Sequence, residues 1–166
     1  MMHANHDMGS SQSMHSMNSH PYRRLALMAG LSFVSMYILM YAMVNVVGNV
    51  YLSLNQFYMA ALMTAPMMVI ELALMGAMYG NKKWNALILV ASVAVGLLAF
   101  VLIRQQVGIS DKEFLRSMIP HHAGAILMCN QADLREPQLQ ELCRGIVTGQ
   151  QAEIDLMKAS LAGLSK

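Results

Sequence analysis

Three long apolar runs constrain the fold of this chain more than any other feature. Residues 25–47 carry no charge, residues 59–79 carry a single acidic residue, Glu71, and residues 86–103 carry none. A hydrocarbon core of about 30 Å is crossed by roughly 17–25 helical residues, and each run falls within that range. Only 12% of the residues are charged and 56% are apolar, which leaves little polar surface for a water-soluble globule. The sequence therefore predicts an all-α membrane protein with three transmembrane helices.

The basic residues predict the orientation of these helices. Arg23 and Arg24 precede the first run, and Lys82 and Lys83 lie between the second and the third. With three spans, both positions fall on one side of the bilayer, which the positive-inside rule assigns to the cytoplasm. We therefore expect a protein of the bacterial inner (cell) membrane with a cytoplasmic N-terminus and a periplasmic C-terminal segment.

The N-terminal residues 1–22 are polar, rich in His and Met, and without apolar periodicity, which predicts a disordered tail. Thioethers and imidazoles bind soft metal ions, so the tail is a candidate for metal capture. A solvated leader would have the same composition, and both interpretations stay open. The candidate ligands of the tail are His3, His6, Met8, Met14, His15 and Met17.

The remaining chain divides into a transmembrane domain, residues 23–104, and a C-terminal segment, residues 105–166. Ser110 and Glu113 form an S-x-x-E capping box, which predicts the start of a helix, and Pro137 suits the first turn of a second helix. The segment is therefore predicted to be a soluble αα-hairpin outside the cytoplasm. Two helices cannot bury their apolar faces alone, so a homodimer or higher homo-oligomer is expected.

The first hairpin helix carries a stripe of soft metal ligands. At about 100° per residue, Met118 and His122 lie on one face, and His121 and Met128 lie at its flank. Copper(I) and silver(I) are soft ions that bind thioether, thiolate and imidazole groups, so this stripe could hold one of them. Met118, Met128 and Met157 also suit a helix core, with the histidines hydrogen-bonded to Gln150 or Glu153 of the second helix. The candidate ligands are Met118, His121, His122, Met128, Met157 and Glu153, with Gln150, Cys129 and Cys143 as weaker candidates.

Antiparallel pairing around a turn near Glu136 predicts which residues of the two hairpin helices meet. Cys129 falls opposite Cys143, and His122 falls opposite Gln150. In an oxidising compartment the two cysteines would form a disulfide, and the alternative is a reduced thiolate pair that binds Cu(I). The expected compartment favours the disulfide.

The hairpin also carries two spaced motifs, Phe114-x3-Met118-Ile-Pro-His121-His122-x2-Ala125-x2-Met128 and Ile146-x3-Gln150-x2-Glu153-Ile154-x2-Met157. Together they resemble the domain of unknown function 305 family, which includes copper-binding periplasmic proteins and three-span membrane members. The resemblance covers roughly residues 110–162. It implies a ferritin-like helical fold, of which one hairpin is half a bundle, and a role in binding surplus Cu(I) outside the cytoplasm. The metal-associated residues of the family correspond to Met118, His121, His122, Met128 and Met157. An aromatic residue that often follows the final methionine of the family is replaced here by Lys158-Ala159-Ser160.

The transmembrane runs contain a second candidate metal path. A carboxyl group is costly within a bilayer, so Glu71 needs a polar partner, for which Asn45, Tyr41 and Thr64 are the candidates. An acid beside methionines would suit passage of Cu(I), whereas ordinary helix packing explains the same residues. The path would use Glu71, Met63, Met67 and Met75 of the second run, with Met36 and Met40 of the first.

Taken together, the chain is predicted to be a membrane-anchored protein that binds copper(I) or silver(I) for metal tolerance or relay. Periplasmic copper-handling proteins are its candidate partners, and the alternatives are a copper-ion transporter and a structural membrane subunit without metal. The hairpin has no E-x-x-H pair for a carboxylate-rich di-iron site and no hydrolase or phosphate-loop signature, so we do not expect an enzyme. A net charge of +2 is too small for nucleic-acid binding by phosphate neutralisation.

Overall fold

A computed structural model describes residues 21–164, and this range contains helices and no β-strand. The predicted metal-capture residues of the N-terminal tail, His3 to Met17, lie outside the described residues. The all-α prediction is confirmed for the part of the chain that is described. Its α-helices are α1 (Pro21–Leu39), α2 (Leu54–Met75), α3 (Lys82–Arg104), α4 (Asp111–Gln131) and α5 (Pro137–Gly163).

Three helical segments are long and apolar enough to cross a membrane: Pro21–Met43, Leu54–Met75 and Lys82–Arg104. Only 6%, 22% and 6% of their most apolar windows are buried within the chain, so most of this apolar surface is left for lipid. The prediction of three candidate spans is confirmed. Their apolar surfaces indicate a membrane protein.

The second span does not match its predicted range of 59–79. Its helix begins five residues earlier, at Leu54, and ends at Met75. Ser53 caps the helix by accepting a hydrogen bond from the backbone N–H of Gln56, so the polar residues Asn55 and Gln56 lie inside the first turn. A 3-10 turn, Gly76–Met78, ends it. The first span ends four residues before 47, in a 3-10 turn at Met40–Met43.

Small residues bring α2 and α3 close together. A Cβ atom built on Gly96 of α3 would lie 3.1 Å from the Cβ of Ala65 on α2, a spacing tighter than ordinary van der Waals contact. Membrane helices associate through such close packing of small residues. Next to this contact, α2 continues through Pro66 as one helix from Leu54 to Met75.

The linker between α3 and α4 folds the chain back over the start of α2. It turns through two left-handed residues, Gln106 at φ 49° and Gly108 at φ 74°. The side-chain amides of Gln106 and Asn55 pair at 3.3 Å, and the hydroxyl of Tyr58 donates to the carbonyl of Val107 at 3.1 Å. These contacts place the hairpin at one end of the transmembrane domain, which we call the hairpin end.

The two hairpin helices start at the predicted residues. Ser110 caps α4 by accepting from the N–H of Glu113, and Pro137 occupies the first turn of α5. Cys129 and Cys143 form the predicted disulfide, with their Cα atoms 5.3 Å apart. The two helices share an apolar core of Ile119, Ala123, Ile126, Ile154 and Leu161, against which Val44 and Tyr51 of the α1–α2 connection also pack.

Glu113 shows why the hairpin docks where it does. The capping box predicts that its side chain turns back to Ser110, but its Oε2 accepts from the backbone N–H of Leu54 at 2.8 Å and its Oε1 from Arg116 at 3.0 Å. A carboxylate at the first turn of α2 satisfies an N–H that has no partner within the helix and interacts favourably with the helix dipole. Glu113 therefore ties α4 to the start of α2.

Candidate functional site

The adjacent histidines of α4 point to different sides of the helix. Neighbouring helical residues differ by about 100°, so His121 and His122 cannot both face one partner. Their ring centroids are 6.0 Å apart with the planes at 65°. His122 is buried against α5, while His121 lies on the side that faces the transmembrane domain.

Both ring nitrogens of His122 are engaged. Its Nδ1 lies 2.9 Å from the carbonyl oxygen of Met118, and its Nε2 lies 2.7 Å from Oε2 of Glu153. Both partner atoms are oxygens within hydrogen-bond distance, so neither ring nitrogen is left without a partner. A metal ion would reach the Nε2 of His122 only by displacing Glu153.

Of the two partners predicted on α5, His122 contacts Glu153 and not Gln150, although helical spacing placed Gln150 opposite it; Glu153 lies about one turn further along α5. Side chains on a helix lean toward its N-terminus, and the N-terminal direction of α4 is the C-terminal direction of antiparallel α5. The side-chain oxygen of Gln150 is buried and, within residues 21–164, has no hydrogen-bond partner. Met157 packs against the hairpin core.

Three of the predicted hairpin ligands, Met118, His121 and Met128, line one cavity of about 590 Å³, together with Met40 of the predicted transmembrane path. It lies between α4 and the hairpin end of the transmembrane domain, and we call it the junction cavity. Met40 and Met43 of the first span and Met59 of α2 line it from the membrane side. The other lining residues are Asn55, Gln56, Ile103, Ser117, Pro120, Gly124 and Ala125.

Sequence reasoning missed Met59 as a candidate ligand. A signal was present, since Met59 continues the four-residue spacing of Met63, Met67 and Glu71 toward the start of α2. The predicted span began at 59, which left that residue at the membrane edge and without an assigned neighbour. Only the folded hairpin shows that α4 lies next to it.

The donor set of the junction cavity fits a soft monovalent cation. Five thioethers and one imidazole line it, and among the described lining residues there is no Asp, Glu, Lys or Arg. Hard divalent ions such as Ca²⁺ and Mg²⁺ prefer carboxylate and other oxygen ligands, whereas Cu(I) selects soft sulfur ligands. Within residues 21–164 neither ring nitrogen of His121 has a hydrogen-bond partner, so this imidazole is available as a ligand.

Other kinds of metal centre find less support. Among residues 21–164 no group of three or more His, Cys, Asp and Glu side chains comes together. Cys129 and Cys143 are joined to each other, so the alternative of a reduced thiolate pair is not the state of this structure. Methionine sulfur is therefore the main soft donor in the described part of the chain.

Glu71 lies at the other end of α2 from the junction cavity. It is 12 residues from Met59, about 18 Å along an α-helix. Its Oε1 accepts from the hydroxyl of Tyr79 at 3.3 Å. Burial raises the pKa of Tyr79, and the nearby Glu71 carboxylate raises it further, so the hydroxyl keeps the proton that it donates. A cavity of about 280 Å³ beside this pair is also lined by Arg24, Met28 and Met78.

The predicted partners of Glu71 are wrong, because each of them is engaged elsewhere. Tyr41 donates to the carbonyl of Tyr51 at 2.9 Å, Thr64 donates to the carbonyl of Ala60 at 2.8 Å, and Asn45 accepts from Asn49 at 2.8 Å. The reason is the shifted span: α2 ends four residues after Glu71, which brings the following turn and its tyrosine within reach of the carboxyl. The sulfur of Met36 lies 3.7 Å from the hydroxyl oxygen of Thr64.

The fold and the site define a class of protein: three apolar helices that suit a membrane, followed by a disulfide-closed helical hairpin with methionine and histidine on its inner face. Residues 99–161, which include the last turns of α3 and nearly all of the hairpin, match the family described as Domain of unknown function (DUF305). The Uncharacterized protein L153 of Acanthamoeba polyphaga mimivirus is 36% identical over 140 residues, which are 82% of this chain and 90% of that protein. No solved structure matches the chain. The chain belongs to the DUF305 family.

Proposed function

We propose that this protein is a membrane-anchored binder of soft monovalent metal ions, copper(I) and silver(I), for metal tolerance or relay. One observation supports the proposal above all: Met118, His121 and Met128 of α4 line the same uncharged cavity. Two thioethers and a free imidazole on one helical face are a soft donor set, and no hard or anionic ligand competes with them there.

His122 and Glu153 have a positioning role in this proposal. Their contact fixes the rotation of α4 against α5, and with it the direction in which the neighbouring His121 points. The five residues that the family resemblance implies as metal ligands therefore divide into two groups. Met118, His121 and Met128 bind the ion, while His122 and Met157 hold the hairpin together.

The exposed face of α5 supports a ferritin-like association of two hairpins. Leu139, Leu142 and Leu156 share an arc of about 100° at helical spacing and are 45%, 58% and 68% exposed. A second copy of the hairpin would cover them and complete a four-helix bundle. We therefore propose a homodimer or higher homo-oligomer.

The charge distribution supports a periplasmic hairpin. Arg23, Arg24, Lys82 and Lys83 belong to the starts of α1 and α3, which lie at the end of the membrane domain opposite the hairpin. The positive-inside rule assigns that end to the cytoplasm of a bacterial inner membrane. The disulfide of the hairpin is the state that an oxidising compartment favours. Periplasmic copper-handling proteins would then be able to exchange metal with the hairpin.

Silver(I) titration of the full-length protein, measured by calorimetry in detergent micelles, tests the proposal. In every protein compared, the tail residues His3, His6, Met8, Met14, His15 and Met17 are replaced by Ala, so that the tail does not contribute to binding. Silver(I) needs no reductant, so the disulfide stays intact during the measurement. Relative to wild type, a Met118→Leu/His121→Ala/Met128→Leu variant should bind Ag(I) at least about tenfold more weakly. Met157→Leu is the matched control, because Met157 is a methionine of the same hairpin outside the junction cavity. Equal affinities of wild type and the triple variant would refute the proposal and favour a structural role without metal.

A further inference from the structure

We infer that the metal site is shared between two parts of the chain, with Met40, Met43 and Met59 of the transmembrane domain completing the ligand set that α4 begins. This inference rests on the proposed function and goes beyond the hairpin motifs, which contain none of these three methionines. The observation that carries it is the junction cavity, in which both sets of thioethers are lining residues.

The end of the first span presents two of its thioethers together. At Leu39 the chain leaves α-helical geometry and makes the 3-10 turn Met40–Met43. In a 3-10 helix there are about 3.0 residues per turn, so the side chains at positions i and i+3 are eclipsed. Met40 and Met43 are such a pair, and both line the junction cavity.

Contacts of the backbone hold α4 against these methionines. A Cβ atom built on Gly124 would lie 3.5 Å from the carbonyl oxygen of Met43, so α4 crosses this turn at van der Waals distance. Glu113 fixes the start of α4 to Leu54, less than two turns before Met59 on α2. The cavity is therefore bounded on two sides by anchored backbone, and the flexible thioethers extend into it from both.

The junction cavity offers more sulfur and nitrogen donors than one metal ion needs, so the ion can change its ligands within the site. Copper(I) and silver(I) bind through sulfur without a strict geometry, and the two domains supply five thioethers and one imidazole. A cation held by α4 can exchange one thioether for another without meeting a charged side chain among the described lining residues. Binding also joins the hairpin to the membrane domain, so metal loading should tighten the docking of α4.

A leucine variant of the membrane-side methionines tests the inference in the full-length protein. Met40→Leu/Met43→Leu/Met59→Leu removes three sulfurs and keeps an apolar side chain of similar size at each position. We expect its affinity for Ag(I), measured by calorimetry in micelles, to fall at least about tenfold. The control variant Met63→Leu/Met67→Leu/Met75→Leu changes three methionines of α2 outside the junction cavity and should bind like wild type.

Methyl NMR of wild type provides a second readout that does not depend on the folding of any variant. With ¹³C-methyl methionine, addition of Ag(I) should shift the signals of Met40, Met43 and Met59 and leave those of Met63 and Met75 in place. If the membrane-side variant keeps its affinity and these signals stay in place, the inference is wrong. If the α4 variant then still binds Ag(I) more weakly than wild type, the proposed function stands and only the inference fails. If neither the α4 variant nor the membrane-side variant loses affinity, the proposed function and the inference are both wrong.

Discussion

The docking of the hairpin can be tested directly at the contact between Glu113 and Leu54. Its carboxylate accepts the N–H of Leu54 at 2.8 Å and is only 21% exposed, so replacement by Ala removes a charge-assisted hydrogen bond that solvent screens weakly. Such a bond contributes about 1.5–3 kcal/mol, whereas the i,i+3 pair with Arg116 lies within α4 and does not hold the junction closed. Glu113→Ala should therefore make local opening of this junction about 10- to 150-fold more frequent.

Hydrogen exchange measures that opening. In micelles at constant pH, the peptide that contains the first turn of α2 should exchange faster in Glu113→Ala by this factor, because local opening exposes its amides. Glu141→Ala is the matched control: Glu141 pairs with Arg144 at the same i,i+3 spacing, but on exposed α5, and the described residues give its carboxylate no contact with the membrane domain. Equal exchange in the two variants would refute the role of Glu113 as the tie between α4 and α2.

Three further outcomes are expected from other parts of the structure. Replacing Cys129 and Cys143 by Ser removes a bridge between residues 14 positions apart. The free energy of unfolding of the hairpin should fall by about 3 kcal/mol, as measured by thermal unfolding followed by circular dichroism. Gly96→Leu should separate α2 from α3 and lower the melting temperature of the purified protein, whereas Gly30→Leu, at a site with open space, should not. Glu71→Gln should leave Ag(I) affinity unchanged, because Glu71 lies far from the junction cavity; if wild-type proteoliposomes take up copper and this variant does not, the protein is a transporter.

His121 and His122 show what helical periodicity can predict about a site and what it cannot. Helical spacing placed His121 at the flank of the stripe that contains His122, and it correctly separates them by about 100°. Helical spacing does not predict that α5 covers the side of α4 that carries His122, or that the membrane domain faces the side that carries His121. In the structure, His122 contacts Glu153 of α5 whereas His121 lines the junction cavity, so the two rings do not share one set of neighbours.

Glu71 shows a different limit of sequence reasoning. Its predicted depth depended on span bounds taken from hydropathy, which did not include the polar first turn at Asn55 and Gln56. Because Ser53 caps α2, the helix begins at Leu54, five residues before the predicted span. It ends at Met75, so Glu71 lies near the end of the span. Its partner, Tyr79, lies in the following turn, and a pattern of apolar residues carries no information about such a contact.

Local chemistry along the chain determined the three apolar spans, the starts of the hairpin helices at Ser110 and Pro137, and the pairing of Cys129 with Cys143. Each of these depends on residues that are close in sequence or symmetric about one turn, so spacing is sufficient to predict them. Only the tertiary structure decided that α4 lies over Met40, Met43 and Met59. That placement depends on a hydrogen bond between residues 59 positions apart and on the close approach of α4 to one 3-10 turn, and neither leaves a periodic signal in the sequence.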